Sequence, residues 1–101
     1  MVEVGLGSDA KIRVTMEEIE GSTLANTEWQ CKFYVGVRSV TIHKTQAIKV
    51  DDNAYVCVVH TAEVGRGVIY GQLMVDIPDG DIPDGTRTEV SPPFVCGVKV
   101  V

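Results

Sequence analysis

Apolar and polar side chains alternate along most of this chain. From Ala10 to Met16, Ile12, Val14 and Met16 share one face, while Lys11, Arg13 and Thr15 share the other. From Glu28 to Val35, Trp29, Cys31, Phe33 and Val35 point one way, and Glu28, Gln30, Lys32 and Tyr34 the other. Period-two alternation places successive side chains on opposite faces of a strand, so both segments are expected to be half-buried strands. Arg38 to Lys44 follows with Val40 and Ile42 inward, then a short Ala47 to Val50 segment and an Asp51-Asp52-Asn53 turn. Ala54 to Thr61 is apolar on both faces, as in a strand at the centre of a sheet. Gly67 to Ile77 carries Ile69, Gly71, Leu73, Val75 and Ile77 at period two, and Phe94, Cys96, Val98 and Val100 align in the last segment.

The pattern predicts about seven short strands, joined by turns, in one domain over residues 1–101. Composition points the same way. The chain holds 18 Val, 7 Ile and 8 Thr against 3 Leu and 5 Ala. β-Branched side chains suit a pleated surface and lose rotamer freedom in a helix. The best helix candidate is Thr15 to Leu24, with Thr15 as cap and Glu18 three residues on. Gly21 limits it to at most one turn. An all-β fold, an antiparallel sandwich or barrel, is therefore expected.

One internal repeat stands out: Asp76-Ile77-Pro78-Asp79-Gly80 is followed at once by Asp81-Ile82-Pro83-Asp84-Gly85. Each Pro-Asp-Gly favours a β-turn, because Pro presets φ and Gly accepts positive φ. Two in tandem predict a stiff acidic elbow after the longest strand. Asp76, Asp79, Asp81 and Asp84 are weak candidates for a hard cation such as Ca²⁺, which takes oxygen ligands. Their spacing is not that of an EF-hand loop, and Asp also caps its own turn without metal. The charge asymmetry lies in the same half. Residues 1–50 hold six basic and six acidic side chains, whereas residues 51–101 hold three and eight, which accounts for the net −5. That balance argues against general nucleic-acid binding, which needs a basic surface. The longest apolar run, Ala54 to Val59, is far short of a membrane-spanning helix. Met1-Val2-Glu3-Val4 does not read as a secretory leader.

No catalytic motif is present. There is no phosphate loop, no dinucleotide fingerprint and no Gly-x-Ser-x-Gly elbow. Cys57 and His60, three apart on one expected strand, fall on opposite faces, which counts against a Cys–His pair. Glu17-Glu18 and Asp51-Asp52 sit in connections and read as solvated loops. Cys31, Cys57 and Cys96 lie among apolar neighbours without a Cys-x-x-Cys pair, so free thiols, no zinc site and a reducing compartment are expected. A Cys31–Cys57 disulfide is the alternative, since Tyr55 precedes Cys57 by two as in a tyrosine corner. The two cysteines are too near in sequence for the usual bridge between sheets. No cofactor is implied, and the chain is not expected to be an enzyme.

Trp29, Phe33 and Phe94 fall on the inward pattern. Tyr34 and Tyr70 fall on the outward one, where amphipathic rings often anchor protein contacts, and both are interface candidates.

The runs Lys11-Ile-Arg-Val-Thr, Trp29-Gln-Cys-Lys-Phe-Tyr-Val and Tyr55-Val-Cys-Val-Val-His-Thr, with the Leu73-Met-Val-Asp-Ile-Pro-Asp ending, resemble small β-sandwich proteins encoded in bacterial prophages. They look like the immunoglobulin-like modules that begin baseplate upper proteins and head or tail fibres. The resemblance implies a non-enzymatic structural part, often trimeric, made in the cytoplasm and built into a virion. No functional residue carries over from it. Two functions follow as expectations. The first is an interaction module working through self-association or a protein partner, with no nucleic-acid or membrane role. The second is a calcium-dependent carbohydrate- or ligand-binding module, which requires Trp29 to face outward.

Overall fold

The computed structural model describes residues 1–101 and is all-β. Nine strands form: β1 (Val2–Val4), β2 (Asp9–Thr15), β3 (Glu28–Val35), β4 (Arg38–His43), β5 (Ile48–Asp51), β6 (Ala54–His60), β7 (Gly67–Pro78), β8 (Thr86–Val90) and β9 (Phe94–Val100). Two short 3₁₀ turns, Lys44–Gln46 and Thr61–Glu63, are the only helical pieces. A larger sheet has the order β1-β9-β7-β3-β4, with β8 pairing β7 beyond the end of β9, and a smaller sheet has the order β2-β6-β5.

The alternation read from the sequence is the burial pattern of the strands. Ala10, Ile12 and Val14 of β2 are buried, as are Trp29, Cys31 and Phe33 of β3 and Ile69, Leu73, Val75 and Ile77 of β7. β6 is the central strand of the smaller sheet, as its two-sided apolar pattern predicts. The inner faces of both sheets meet in one core that includes Phe33, Cys57, Val59 and Ile69, so the fold is a β-sandwich.

Three expectations are corrected. There are nine strands, not seven: β1 and β8 are short or polar and carry little period-two signal. The fold is not wholly antiparallel, because β1 runs parallel to β9, with Val2 beside Val98 and Val4 beside Val100. Thr15 to Leu24 holds no helical turn. Ile19 and Ser22 form a two-way backbone bridge around Glu20 and Gly21, whose φ values are +51° and +83°. Positive φ at both central residues is the type I′ geometry, and the Gly permits it.

The radius of gyration is 14.3 Å, above the roughly 13 Å of a compact 100-residue domain. The long axis is 46 Å because twelve-residue β7 and its partner β8 run out past the smaller sheet. Beneath that extension, the Glu20–Gly21 turn approaches Arg87 of β8.

Candidate interaction surface

The outer face of the larger sheet gathers the sequence-selected tyrosines. Tyr34 of β3 pairs with Tyr70 of β7 in register, so the rings project side by side. They stack with centroids 5.8 Å apart and an interplanar angle of 23°. Lys32 places its Nζ 5.5 Å from the centroid of Tyr34. Tyr70 also pairs with Val95 of β9, which is 54% exposed. Two rows further along β7, beyond Gln72, Met74 pairs with exposed Val90 of β8. A solvated sheet face is normally polar. Here Val95, Tyr70 and Tyr34 make one apolar patch and Met74 and Val90 a second, with Gln72 and Lys32 between them. The sequence reading missed Met74, Val90 and Val95. Met74 shares the parity of Tyr70 and Val95 is outward by the Phe94–Cys96 alternation, so both were legible. Val90 was not, because β8 was not recognised.

Both ends of this face carry charged side chains. Glu28 and Asp76 are direct cross-strand neighbours at one end, where Thr88 donates to Asp76 at 3.0 Å. They border an open cleft of about 390 Å³ shared with Gln30, His43 and Met74. At the opposite end, exposed Lys99 of β9 lies between Val68 of β7 and exposed Glu3 of β1. Lys44 lines the same cleft as Glu28 and Asp76, and Lys32 stands in the middle of the face. Arg38 donates to the Ala62 carbonyl at 2.9 Å, Lys49 pairs with Asp52 at 3.1 Å, and Lys44 donates to the Ala25 and Thr27 carbonyls at 2.8 and 2.7 Å.

The four aspartates of the tandem repeat separate. Asp76 lies within β7 on the outer face, so the strand absorbs half of the first repeat unit. Asp79 accepts from Arg87 at 2.9 Å and from the Asp81 backbone N–H at 2.9 Å, which holds its carboxyl below the usual carboxylate range. Asp81 and Asp84 are exposed in the turn. No three His, Cys, Asp or Glu side chains in the protein are grouped to hold a metal ion, so the calcium reading finds no ligand set. Trp29 is buried, donates from Nε1 to the Leu24 carbonyl at 3.1 Å and meets Tyr55 edge-on at 5.1 Å. It therefore offers no outward platform for a sugar ring.

The thiols are free, with Cys31 and Cys57 buried and Cys96 partly so. Burial pushes Cys31 up to about 12 and Cys57 and Cys96 up to about 11. Thiolate is the nucleophile and the metal ligand, so these groups are chemically quiet in the folded chain. His60 is exposed at the end of β6 and hydrogen-bonded to Asp9, which raises its pKa. Cys57 points into the core from the opposite face of the same strand.

No family model, curated protein or solved structure matches this chain. No helix is long and apolar enough to cross a membrane.

Proposed function

We propose that the protein is a non-enzymatic interaction module with an immunoglobulin-like sandwich fold, acting through self-association or docking to a protein partner. A place among prophage-encoded virion components is part of the same proposal. The observation that carries it is the partly exposed Tyr34–Tyr70 stack, beside exposed Val95, on an otherwise solvated sheet face. Aromatic rings of this kind lose little conformational entropy on contact and dominate interface energetics.

Strand order supports the immunoglobulin-like part. Lettered in chain order with β2 as B, β4 as C′ and β8 left unlettered, the smaller sheet reads B-E-D and the core of the larger one G-F-C-C′, with a buried Trp on strand C. The thiols lie instead on the strands lettered C, E and G, so the usual bridge between B and F has no counterpart. The core is held without a disulfide.

The test is the solution mass by light scattering behind size exclusion, with calcium and again with a chelator. A calcium-independent oligomer is expected. A monomer that dimerises only with calcium overturns the proposal in favour of a metal-dependent binding module.

A further inference from the structure

We infer that the Asp84–Gly85 bond is a site of spontaneous backbone modification, where aspartate passes through a cyclic imide to isoaspartate, while Arg87 protects the matching Asp79–Gly80 bond. The inference goes beyond the interaction role proposed above and does not depend on it.

The chemistry needs two groups on adjacent residues. The backbone nitrogen that follows an aspartate attacks the side-chain carboxyl carbon in its acid form. The new C–N bond closes an imide ring, and a carboxyl oxygen leaves as water with the amide proton. A water molecule then adds to either imide carbonyl and breaks its C–N bond. Opening at the side-chain carbonyl restores aspartate. Opening at the main-chain carbonyl leaves the chain running through the side-chain carbon, with the α-carboxylate free. One water leaves and one returns, and no electron is transferred. Glycine resists the attack least, because it has no Cβ and rotates freely.

Among the aspartates and asparagines of the chain, only Asp79 and Asp84 precede a glycine. Both stand in the same local sequence, Ile-Pro-Asp-Gly. The fold of the hairpin tip separates them. Asp79 accepts at both carboxylate oxygens, at Oδ1 from the Asp81 N–H and at Oδ2 from Arg87 Nη1, each at 2.9 Å. Its side chain is 19% exposed. Attack at Asp79 must therefore rotate the carboxyl out of both bonds and protonate a group that these donors hold ionised. The Gly80 N–H is free, so the carboxyl is the obstacle there.

Asp84 presents the opposite case. Its carboxylate is exposed and takes part in none of the side-chain hydrogen bonds or ion pairs of the fold. The Gly85 N–H is engaged only by the Ile82 carbonyl, at 2.8 Å, in an exposed turn. That bond is neutral, and charge-assisted bonds such as Arg87 to Asp79 are about twice as strong. Opening the turn at Gly85 is thus easier than stripping Asp79 of both donors. The product matters to the tip. Isoaspartate at position 84 adds a carbon to the main chain beside Gly85, whose carbonyl accepts the Asp79 N–H at 2.8 Å and closes the turn.

The experiment ages the full chain at neutral pH and physiological temperature. Proteolysis and electron-transfer mass spectrometry then distinguish isoaspartate from aspartate at each position. Isoaspartate is expected to accumulate at Asp84 about 5-fold or more faster than at Asp79, from the excess strength of charge-assisted over neutral hydrogen bonds. In denaturant the two rates should converge, because the local sequences match. Arg87→Ala should narrow the native ratio by raising the rate at Asp79, with circular dichroism confirming that the variant folds. Equal rates in the native chain, or a faster rate at Asp79, overturn the inference without recourse to any variant. A ratio that persists in denaturant, or one unmoved in folded Arg87→Ala, overturns the protective role of Arg87.

Discussion

Arg87 of β8 donates from Nη1 to the Asp79 carboxylate at 2.9 Å, across the base of the tandem Asp-rich turn. The same guanidinium donates from Nε to Glu89 at 2.9 Å and lies 3.5 Å from Glu20 in the β2–β3 connection. One side chain thus ties the tip of the long β7–β8 hairpin to a loop from another part of the chain. Charged groups sharing one partner lose less side-chain freedom per contact than isolated surface pairs.

Arg87→Ala is expected to lower the melting temperature and to speed amide exchange between residues 79 and 89. The effect has a pH signature. Asp79 has its pKa lowered from 3.8, chiefly by the Asp81 backbone N–H and then by Arg87. A depressed carboxylate stabilises the fold above its unfolded pKa and loses that contribution as pH falls through the folded value. The gap between wild type and variant should therefore be full at neutral pH and close in acid below about pH 4. A gap independent of pH would show that the ion pair is not its source.

His60 responds in the opposite direction. Its hydrogen bond to Asp9, and then the Asp9 charge, raise its pKa from 6.5. A raised histidine stabilises the fold below its unfolded pKa and loses the contribution as pH rises through the folded value. A proton NMR titration should place the His60 midpoint above 6.5, and Asp9→Asn should bring it back toward that value. A midpoint unchanged by Asp9→Asn would rule out the pair.

Gly71 is where two strands demand the absence of a side chain. A Cβ there would lie 2.6 Å from the Phe94 ring and 3.2 Å from Cys96 Sγ. Gly71→Ala is expected to destabilise the fold by about 1–3 kcal/mol, the range for overpacking a well-filled core. Phe94→Leu should recover part of the loss in the double variant, since it removes the ring that the new methyl strikes. Urea denaturation of the two single variants and the double variant measures that coupling.

The thiols should be slow to react. With Cys31 raised to about 12 and Cys57 and Cys96 to about 11, little thiolate exists at pH 8 in the folded chain. Titration with a thiol-reactive disulfide reagent should modify Cys96 first, since only it is partly exposed, and all three at once in denaturant. Immediate stoichiometric labelling of the native protein would contradict this core.

Sequence alone determined seven of the nine strands and which of their faces turn inward. Trp29, Cys31 and Phe33, then Ile69, Leu73, Val75 and Ile77, announce their burial because a strand's side-chain period is two and only one face meets the core. Tyr34 and Tyr70 were legible as outward residues for the same reason. That they stack was not, because cross-strand register is set by turns and by which strands become neighbours. β1 and β8 were hidden as well: a three-residue edge strand and the polar run Thr86-Arg87-Thr88-Glu89 become strands only because β9 and β7 offer unpaired backbone to bond. The Glu20–Gly21 turn wears the composition of a helix start, and Thr15 became the last residue of β2 because that strand pairs with β6. Tertiary structure likewise decided the fate of the four aspartates. Asp76 and Asp79 are three residues apart in the chain, yet β7 carries one onto the outer sheet face while Arg87 captures the other, because β8 pairs back along β7 and sets Arg87 opposite Ile77.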